Sequence, residues 1–187
     1  IVSTGMTQVI KGSSVMPYVE HVWGCELIEG EDKDGAPCLS EIGYTIDNTS
    51  KTRALFEINK GVHSGDSREG VNANTKIPEE FRRVHFINMV YVADGPSDIP
   101  AFSVLNKNGG ATFAIYPKGD LRALSQVEQM RVEGRINMYA EADYSEGTMA
   151  YMWICNKITE FADRIRKEER DKIAKYAGSQ GPKHLVD

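Results

Sequence analysis

The chain has 187 residues, 41% hydrophobic and 26% charged, and a formal net charge of −5, values typical of a globular domain. The acidic balance gives no electrostatic case for binding nucleic acid or an anionic membrane surface. The three cysteines form no Cys-x-x-Cys pair, and no apolar run is long enough to cross a membrane. We therefore expect a cytoplasmic protein, kept in a reducing compartment.

The chain opens on an apolar pair followed by small polar residues. Ser3, Thr4 and Gly5 are predicted to lie at the end of a buried strand, before a helix over residues 7–15. Free backbone N–H groups and the helix dipole would make such a junction a seat for phosphate. The alternative is that Ser3 or Thr4 only caps the helix. Because the chain starts inside a predicted strand, we expect it to be a fragment.

Two β-type runs then surround a segment dense in turn residues. Asp34-Gly35 at its centre predicts a β-hairpin, which we interpret as an insertion over residues 24–47. Asp32 and Asp34 also have the Asp-x-Asp spacing of a calcium loop or of a phosphatase nucleophile. The flanking runs are strands and no apolar strand leads into the pair, so we interpret both acids as part of a solvated turn.

The next segment predicts a helix with a lysine in its first turn. Thr49 or Ser50 would cap a helix over residues 51–59, which places Lys51 at its start. The helix dipole disfavours a cation there unless an anion lies in front of it. Such a local conflict is expected at functional sites, and the alternative is a solvated surface lysine.

A long polar segment, residues 61–78, follows that helix and is rich in Gly, Asn and Ser. Loops of this length inside a compact domain are commonly mobile or functional. We interpret His63 within it as a solvent-exposed loop residue.

A second apolar run ends on a pair of acids. Residues 89–93 predict a strand buried on both faces, with Asp94 at its carboxyl end, where ligands bind in parallel α/β sheets. Gly95 would let backbone approach closely, and Asp98 adds a second carboxylate, so the segment predicts a hard-cation site. The alternative is ordinary turn chemistry, in which Ser97 or Asp98 caps the next helix.

The remaining chain continues the alternation of strands and helices. The predicted elements are a strand over 111–116, a helix over 121–132, an edge strand over 136–139, and a long helix over 145–177 that precedes a tail at 178–187. The long helix is expected to bury Met149, Met152, Trp153, Asn156, Ile158 and Phe161.

Three of the motifs above, taken in the order of the chain, resemble those of the haloacid dehalogenase superfamily of phosphohydrolases. The resemblance is greatest to its phosphoserine-phosphatase-like branch. The resemblance covers residues 1–116 and is most specific at its third motif, where Ala93 replaces a common Gly. Lys60 is a rival for the role of the helix-initial lysine. The motifs are Ile1-Val2-Ser3, Lys51-Thr52-Arg53-Ala54-Leu55 and Tyr91-Val92-Ala93-Asp94-Gly95-Pro96-Ser97-Asp98.

The resemblance implies an α/β fold over residues 1–177, a haloacid dehalogenase-like Rossmannoid with a mostly parallel sheet flanked by helices. It implies a Mg²⁺-dependent phosphomonoester hydrolase that acts on a small phosphorylated substrate through an aspartyl-phosphate. Asp94 would bind Mg²⁺, and Asp98 would support the ion directly or through its waters. Lys51 would stabilise charge on the nucleophile and on the phosphoryl group. The phosphate would be held by Ser3, Thr4, Gly5 and Lys51.

The family's nucleophile, the first Asp of an Asp-x-Asp motif, precedes the Ser/Thr motif and lies on the central strand of the sheet. We therefore expect a gap beside the Asp94 strand and no turnover by this chain alone. One alternative is a non-catalytic binding or regulatory module with the same fold. A second alternative is a circular permutant that uses Asp32 and Asp34.

Overall fold

The structure is a computed structural model that describes residues 1–62 and 71–178. In these ranges the chain is a mixed α/β protein. Its strands are β1 Val2–Met6, β2 Trp23–Glu31, β3 Pro37–Tyr44, β4 Val90–Ala93, β5 Ala111–Tyr116 and β6 Met138–Glu141. Its α-helices are α1 Thr7–Lys11, α2 Ser50–Lys60, α3 Ile99–Lys107, α4 Leu121–Val132 and α5 Met149–Gly178. The predictions for His63 and for most of the C-terminal tail concern residues outside the described ranges.

The strands form two sheets of three strands each, in the orders β1-β2-β3 and β4-β5-β6. The second sheet is parallel throughout, whereas the first combines a parallel pair, β1 with β2, and an antiparallel pair, β2 with β3. The expected single sheet is therefore divided. Its division leaves β1 and β4 as edge strands, each paired on one side within the described chain.

The β2–β3 hairpin has the predicted turn. Gly35 has a φ of +77°, a conformation that glycine adopts without strain, and the Asp32 carboxylate accepts hydrogen bonds from the backbone N–H groups of Asp34 and Ala36. Asp32 and Asp34 are exposed, which confirms the interpretation of a solvated turn. The first strand of the hairpin also pairs with β1, since Val2 and Met6 are in register with Trp23 and Cys25.

The helix that carries Lys51 connects the two sheets. Leu55 packs into the core between the β4-β5-β6 sheet and its helices, where Phe102 and Leu105 are fully buried. Its neighbour Ala54 packs instead with Trp23 of the first sheet. Burial of each large apolar side chain contributes about 1.5–3 kcal/mol. Helix α2 is thus held from both sides, and so is the lysine in its first turn.

The capping bonds at the start of α2 come from a residue other than the predicted ones. Asp47 Oδ1 accepts hydrogen bonds from the N–H groups of Thr49 and Ser50, at 2.9 and 2.6 Å, and from the Ser50 hydroxyl. These bonds hold the pKa of Asp47 below its usual range. Thr49 occupies the N-cap position as predicted, but its side chain makes no capping bond, because Asp47, before the turn, offers a charged acceptor.

The buried side of α5 also differs from its prediction. Ala150 is fully buried, and the Trp153 ring stacks on Phe113 with a centroid distance of 4.7 Å. Met149, Met152 and Ile158 are exposed instead. Asn156 is exposed as well, whereas Ile154, which was not predicted, packs with Ala150. The prediction favoured large side chains and missed that the close contact with the sheet is made by a small one. Among the described residues, no helix combines the length and apolarity needed to span a membrane.

Candidate functional site

A cavity of about 840 Å³ lies between the edge strands β1 and β4. Ser3 and Thr4 line it from β1, and Asp94 lines it from the end of β4. Lys51 of α2 and Asp98 complete its polar wall. The structure therefore brings together candidate residues from three separate segments of the sequence. It also places an open space beside the Asp94 strand, where the resemblance predicts a gap.

Lys51 and Asp98 form a buried ion pair within this wall. Lys51 Nζ lies 2.8 Å from Asp98 Oδ1, and the two side chains expose only 8% and 4% of their surface. The interpretation of Lys51 as a solvated surface lysine is therefore wrong. Lys51 also donates a longer bond of 3.4 Å to the Ser97 hydroxyl, so these two contacts leave one of its three N–H donors for the cavity.

The Asp98 carboxylate accepts three hydrogen bonds from protein donors. Its Oδ1 accepts from Lys51 and from the Tyr91 hydroxyl, at 2.8 and 2.6 Å, and its Oδ2 accepts from Ser97 at 3.0 Å. Asp98 occupies the N-cap position of α3, yet its side chain makes no capping bond. Direct binding of Mg²⁺ by Asp98 is disfavoured, because the residue is buried and a metal ion would compete with the lysine that compensates its charge.

Asp94 differs from Asp98 in being exposed. It follows the last residue of β4 and faces the cavity at the carboxyl end of the parallel sheet. Among the described residues no cluster of three or more His, Cys, Asp or Glu side chains could hold a metal ion. Mg²⁺ is commonly bound through one or two carboxylates, several waters and a substrate phosphate. Asp94 fits as one such ligand.

The predicted phosphate seat at the start of the chain has a different geometry. Ser3, Thr4 and Gly5 lie within β1 rather than at its end, and the helix that follows has only five residues. Ser3 Oγ accepts a hydrogen bond of 2.9 Å from the Gly5 N–H. Ser3 and Thr4 line the cavity and Gly5 does not. Neither residue caps the short helix, whose N-cap position is Met6.

Two further details of the prediction are resolved by the contacts. Lys60 donates to the backbone carbonyls of Ala73 and Thr75, so it anchors the segment after α2 and does not compete with Lys51.

Gly95 has an extended φ of −174°, and a Cβ there would meet open space within the described chain. Neither the conformation of Gly95 nor crowding by described residues requires a glycine, and close approach of backbone at a cation site stays a prediction.

Tyr91 and Ser97 are site residues that the sequence did not reveal as such. Tyr91 lies in an apolar run and was therefore interpreted as core, which its buried ring confirms. The pKa of its hydroxyl is raised, first by burial and then by its hydrogen bond to Asp98, so the group stays protonated and donates. One sequence feature could have indicated this role. A tyrosine in a buried strand needs a hydrogen-bond partner for its hydroxyl, and this strand ends on an acid.

Comparisons with known proteins match this chain to a longer relative. No family model matches the chain, and no solved structure matches it. A protein of Borreliella burgdorferi described as uncharacterized is 39% identical over 171 residues, which cover 84% of this chain and 56% of that protein. The chain therefore spans little more than half the length of this relative.

Proposed function

We propose that the chain is part of a Mg²⁺-dependent phosphomonoester hydrolase of the haloacid dehalogenase-like type. The observation that supports this function is the meeting of Ser3, Lys51 and Asp94 in one cavity between two open strand edges. These residues are far apart in sequence, and they supply the hydrogen-bond donor, the cation and the metal-binding carboxylate that phosphoryl transfer requires.

Each residue has a role in binding the phosphoryl group. The Ser3 hydroxyl would donate to a non-bridging oxygen, and the free N–H of Lys51 would neutralise charge on the same group. Asp98 holds Lys51 in place through their 2.8 Å contact, so we assign it to positioning rather than to the metal. A bound Mg²⁺ ion, held through Asp94, would supply electrostatic stabilisation of the phosphoryl charge.

The nucleophile would come from an additional strand between β1 and β4. Each of these strands is paired on one side in the described chain, and the cavity separates their open edges. A strand that filled it would lie about 4.8 Å from each neighbour and satisfy both edges. An Asp-x-Asp at its carboxyl end would then lie beside Asp94. The greater length of the Borreliella relative leaves room for such a segment in that protein.

The experiment that tests this proposal is hydrolysis of para-nitrophenyl phosphate by the full-length gene product, with and without Mg²⁺. We expect Mg²⁺-dependent turnover that Asp94→Asn lowers by at least about 100-fold, because a group that stabilises transition-state charge is lost. Asp94 is exposed, so the variant should fold normally. If turnover survives this substitution, the assignment of Asp94 to the active site would be wrong.

Asp34→Asn is the matched control, since Asp34 is an exposed aspartate in the turn of the β2–β3 hairpin. We expect full activity from it, whereas a loss would favour the circular permutant that uses Asp32 and Asp34. Binding of inorganic phosphate without any turnover by the full-length protein would favour the non-catalytic binding module.

A further inference from the structure

The hydroxyl of Tyr91 makes the shortest contact to the carboxylate that holds Lys51. It donates to Asp98 Oδ1 at 2.6 Å, and the same oxygen accepts from Lys51 Nζ at 2.8 Å. The tyrosine ring packs edge-on against Phe102, a fully buried residue of α3, with a centroid distance of 5.5 Å. The ring is thus held between β4 and α3, and its hydroxyl has little freedom to move.

Asp98 needs such an anchor because the helix that it precedes does not hold its carboxylate. An aspartate at the N-cap of a helix ordinarily accepts from the free N–H groups of the first turn. Asp98 occupies that position in front of α3 but makes no capping bond, since the Ile99 N–H already donates to the Pro96 carbonyl and Pro100 has no N–H. Instead Tyr91 fixes its Oδ1 and Ser97 fixes its Oδ2, so the carboxylate faces the lysine.

We propose that Tyr91 is a positioning residue, which acts through Asp98 to hold the Lys51 ammonium group at the phosphate-binding wall of the cavity. The inference rests on the proposed phosphatase function. Without the hydroxyl, the carboxylate loses its contact to the rigid ring and can rotate, and the ammonium group is then no longer fixed beside the phosphoryl group. Phosphoryl transfer depends on such placement, since small displacements of a charged group weaken catalysis.

A double-mutant cycle on the full-length gene product tests this connection. Tyr91→Phe keeps the ring against Phe102 and should lower kcat for para-nitrophenyl phosphate about tenfold, with KM changed less than about twofold. In an Asp98→Asn background, the same change should have no further effect, because the residue through which Tyr91 acts is already altered. Equal fold-losses in both backgrounds would show that Tyr91 acts independently and would overturn the proposal.

Tyr139→Phe is the matched control. Tyr139 lies on β6 of the same sheet and donates to the carboxylate of Glu128, outside the cavity described above. Like Tyr91→Phe, this substitution removes a tyrosine hydroxyl that donates to a carboxylate. We expect unchanged kcat and KM. A loss of kcat equal to that of Tyr91→Phe would mean that the sheet, rather than the contact with Asp98, is responsible.

An NMR measurement separates failure of this inference from failure of the proposed function. The side-chain ammonium group of Lys51, labelled with ¹⁵N, should give a protected signal in the full-length protein whether or not it hydrolyses phosphate esters. We expect the signal to be lost through exchange in Tyr91→Phe and retained in Tyr139→Phe. A signal that persists in Tyr91→Phe would overturn the positioning role of Tyr91. If the NMR result is as expected but the protein has no turnover, only the proposed phosphatase function would be overturned.

The wild-type protein provides a check that does not depend on folding of the variant. The Tyr91 hydroxyl proton, bonded at 2.6 Å to a buried carboxylate, should appear as a slowly exchanging downfield resonance. Its absence under conditions where the buried backbone amides are protected would contradict the contact on which the inference depends.

Discussion

Two triads in this protein contain the same chemical groups in different surroundings. Each combines a tyrosine hydroxyl, a carboxylate and a side-chain cation, with the tyrosine on a parallel strand of the β4-β5-β6 sheet. The buried triad lines the cavity and consists of Tyr91, Asp98 and Lys51. The surface triad lies on α4 and β6 and consists of Tyr139, Glu128 and Arg131.

The difference between the triads is their exposure to water. In the ion pair of the buried triad, Lys51 and Asp98 expose 8% and 4% of their side chains, whereas Arg131 and Glu128 expose 48% and 42%. Water screens the exposed pair and can replace either partner. In the buried pair, either charge is poorly hydrated once its partner is removed. The same groups therefore form an obligatory unit in one place and a dispensable contact in the other.

The largest expected effect comes from removing the buried cation. Lys51→Met keeps an unbranched apolar side chain of similar length but leaves Asp98 as a buried charge without its cation, which should lower the free energy of unfolding by about 3–5 kcal/mol. Arg131→Met makes the equivalent change in the surface triad and should leave the urea midpoint unchanged within error. Equal losses in the two variants would mean that burial does not distinguish the triads.

A smaller effect is expected from removing the tyrosine hydroxyls. Tyr91→Phe deletes one hydrogen bond to a buried charged group and should cost about 1.5–3 kcal/mol of stability, measured by urea unfolding. Tyr139→Phe should cost much less, because water can replace the donor to an exposed carboxylate. If Tyr91→Phe were neutral, Lys51 and Ser97 alone would be sufficient to satisfy Asp98.

The smallest effect is a pH dependence in the surface triad. The Tyr139 hydrogen bond, followed by the contacts with Arg131, lowers the pKa of Glu128 below its ordinary value of 4.5. A carboxyl group whose pKa is lowered by folding stabilises the folded state above that ordinary value, and the contribution is lost as the pH falls through the lowered pKa. The small difference in melting temperature between wild type and Tyr139→Phe should therefore disappear in acid. If the difference in melting temperature persisted at low pH, its cause would be the packing of the Tyr139 ring and not the lowered pKa of Glu128.

The sequence predicted the local structure well where neighbouring residues decide it. Helix α4 and strand β5 have the predicted bounds, and the Asp34-Gly35 turn forms as expected. In these segments the apolar period, the turn glycine and the cap are encoded within a few residues. Helix α1 fell short of its prediction, since it ends at Lys11, just before Gly12.

The sequence by itself also gave the order of the candidate site residues and the chemistry of their side chains. Only the tertiary structure decided their partners. Lys51 and Asp98 are 47 residues apart. No local pattern could show that the Asp98 side chain, at the N-cap of α3, would bind a lysine on α2. The same holds for Tyr91, whose ring agrees with a core strand and whose hydroxyl acquires a role only from its neighbour in space. Long-range electrostatic pairing of buried side chains, rather than local propensity, determined the site.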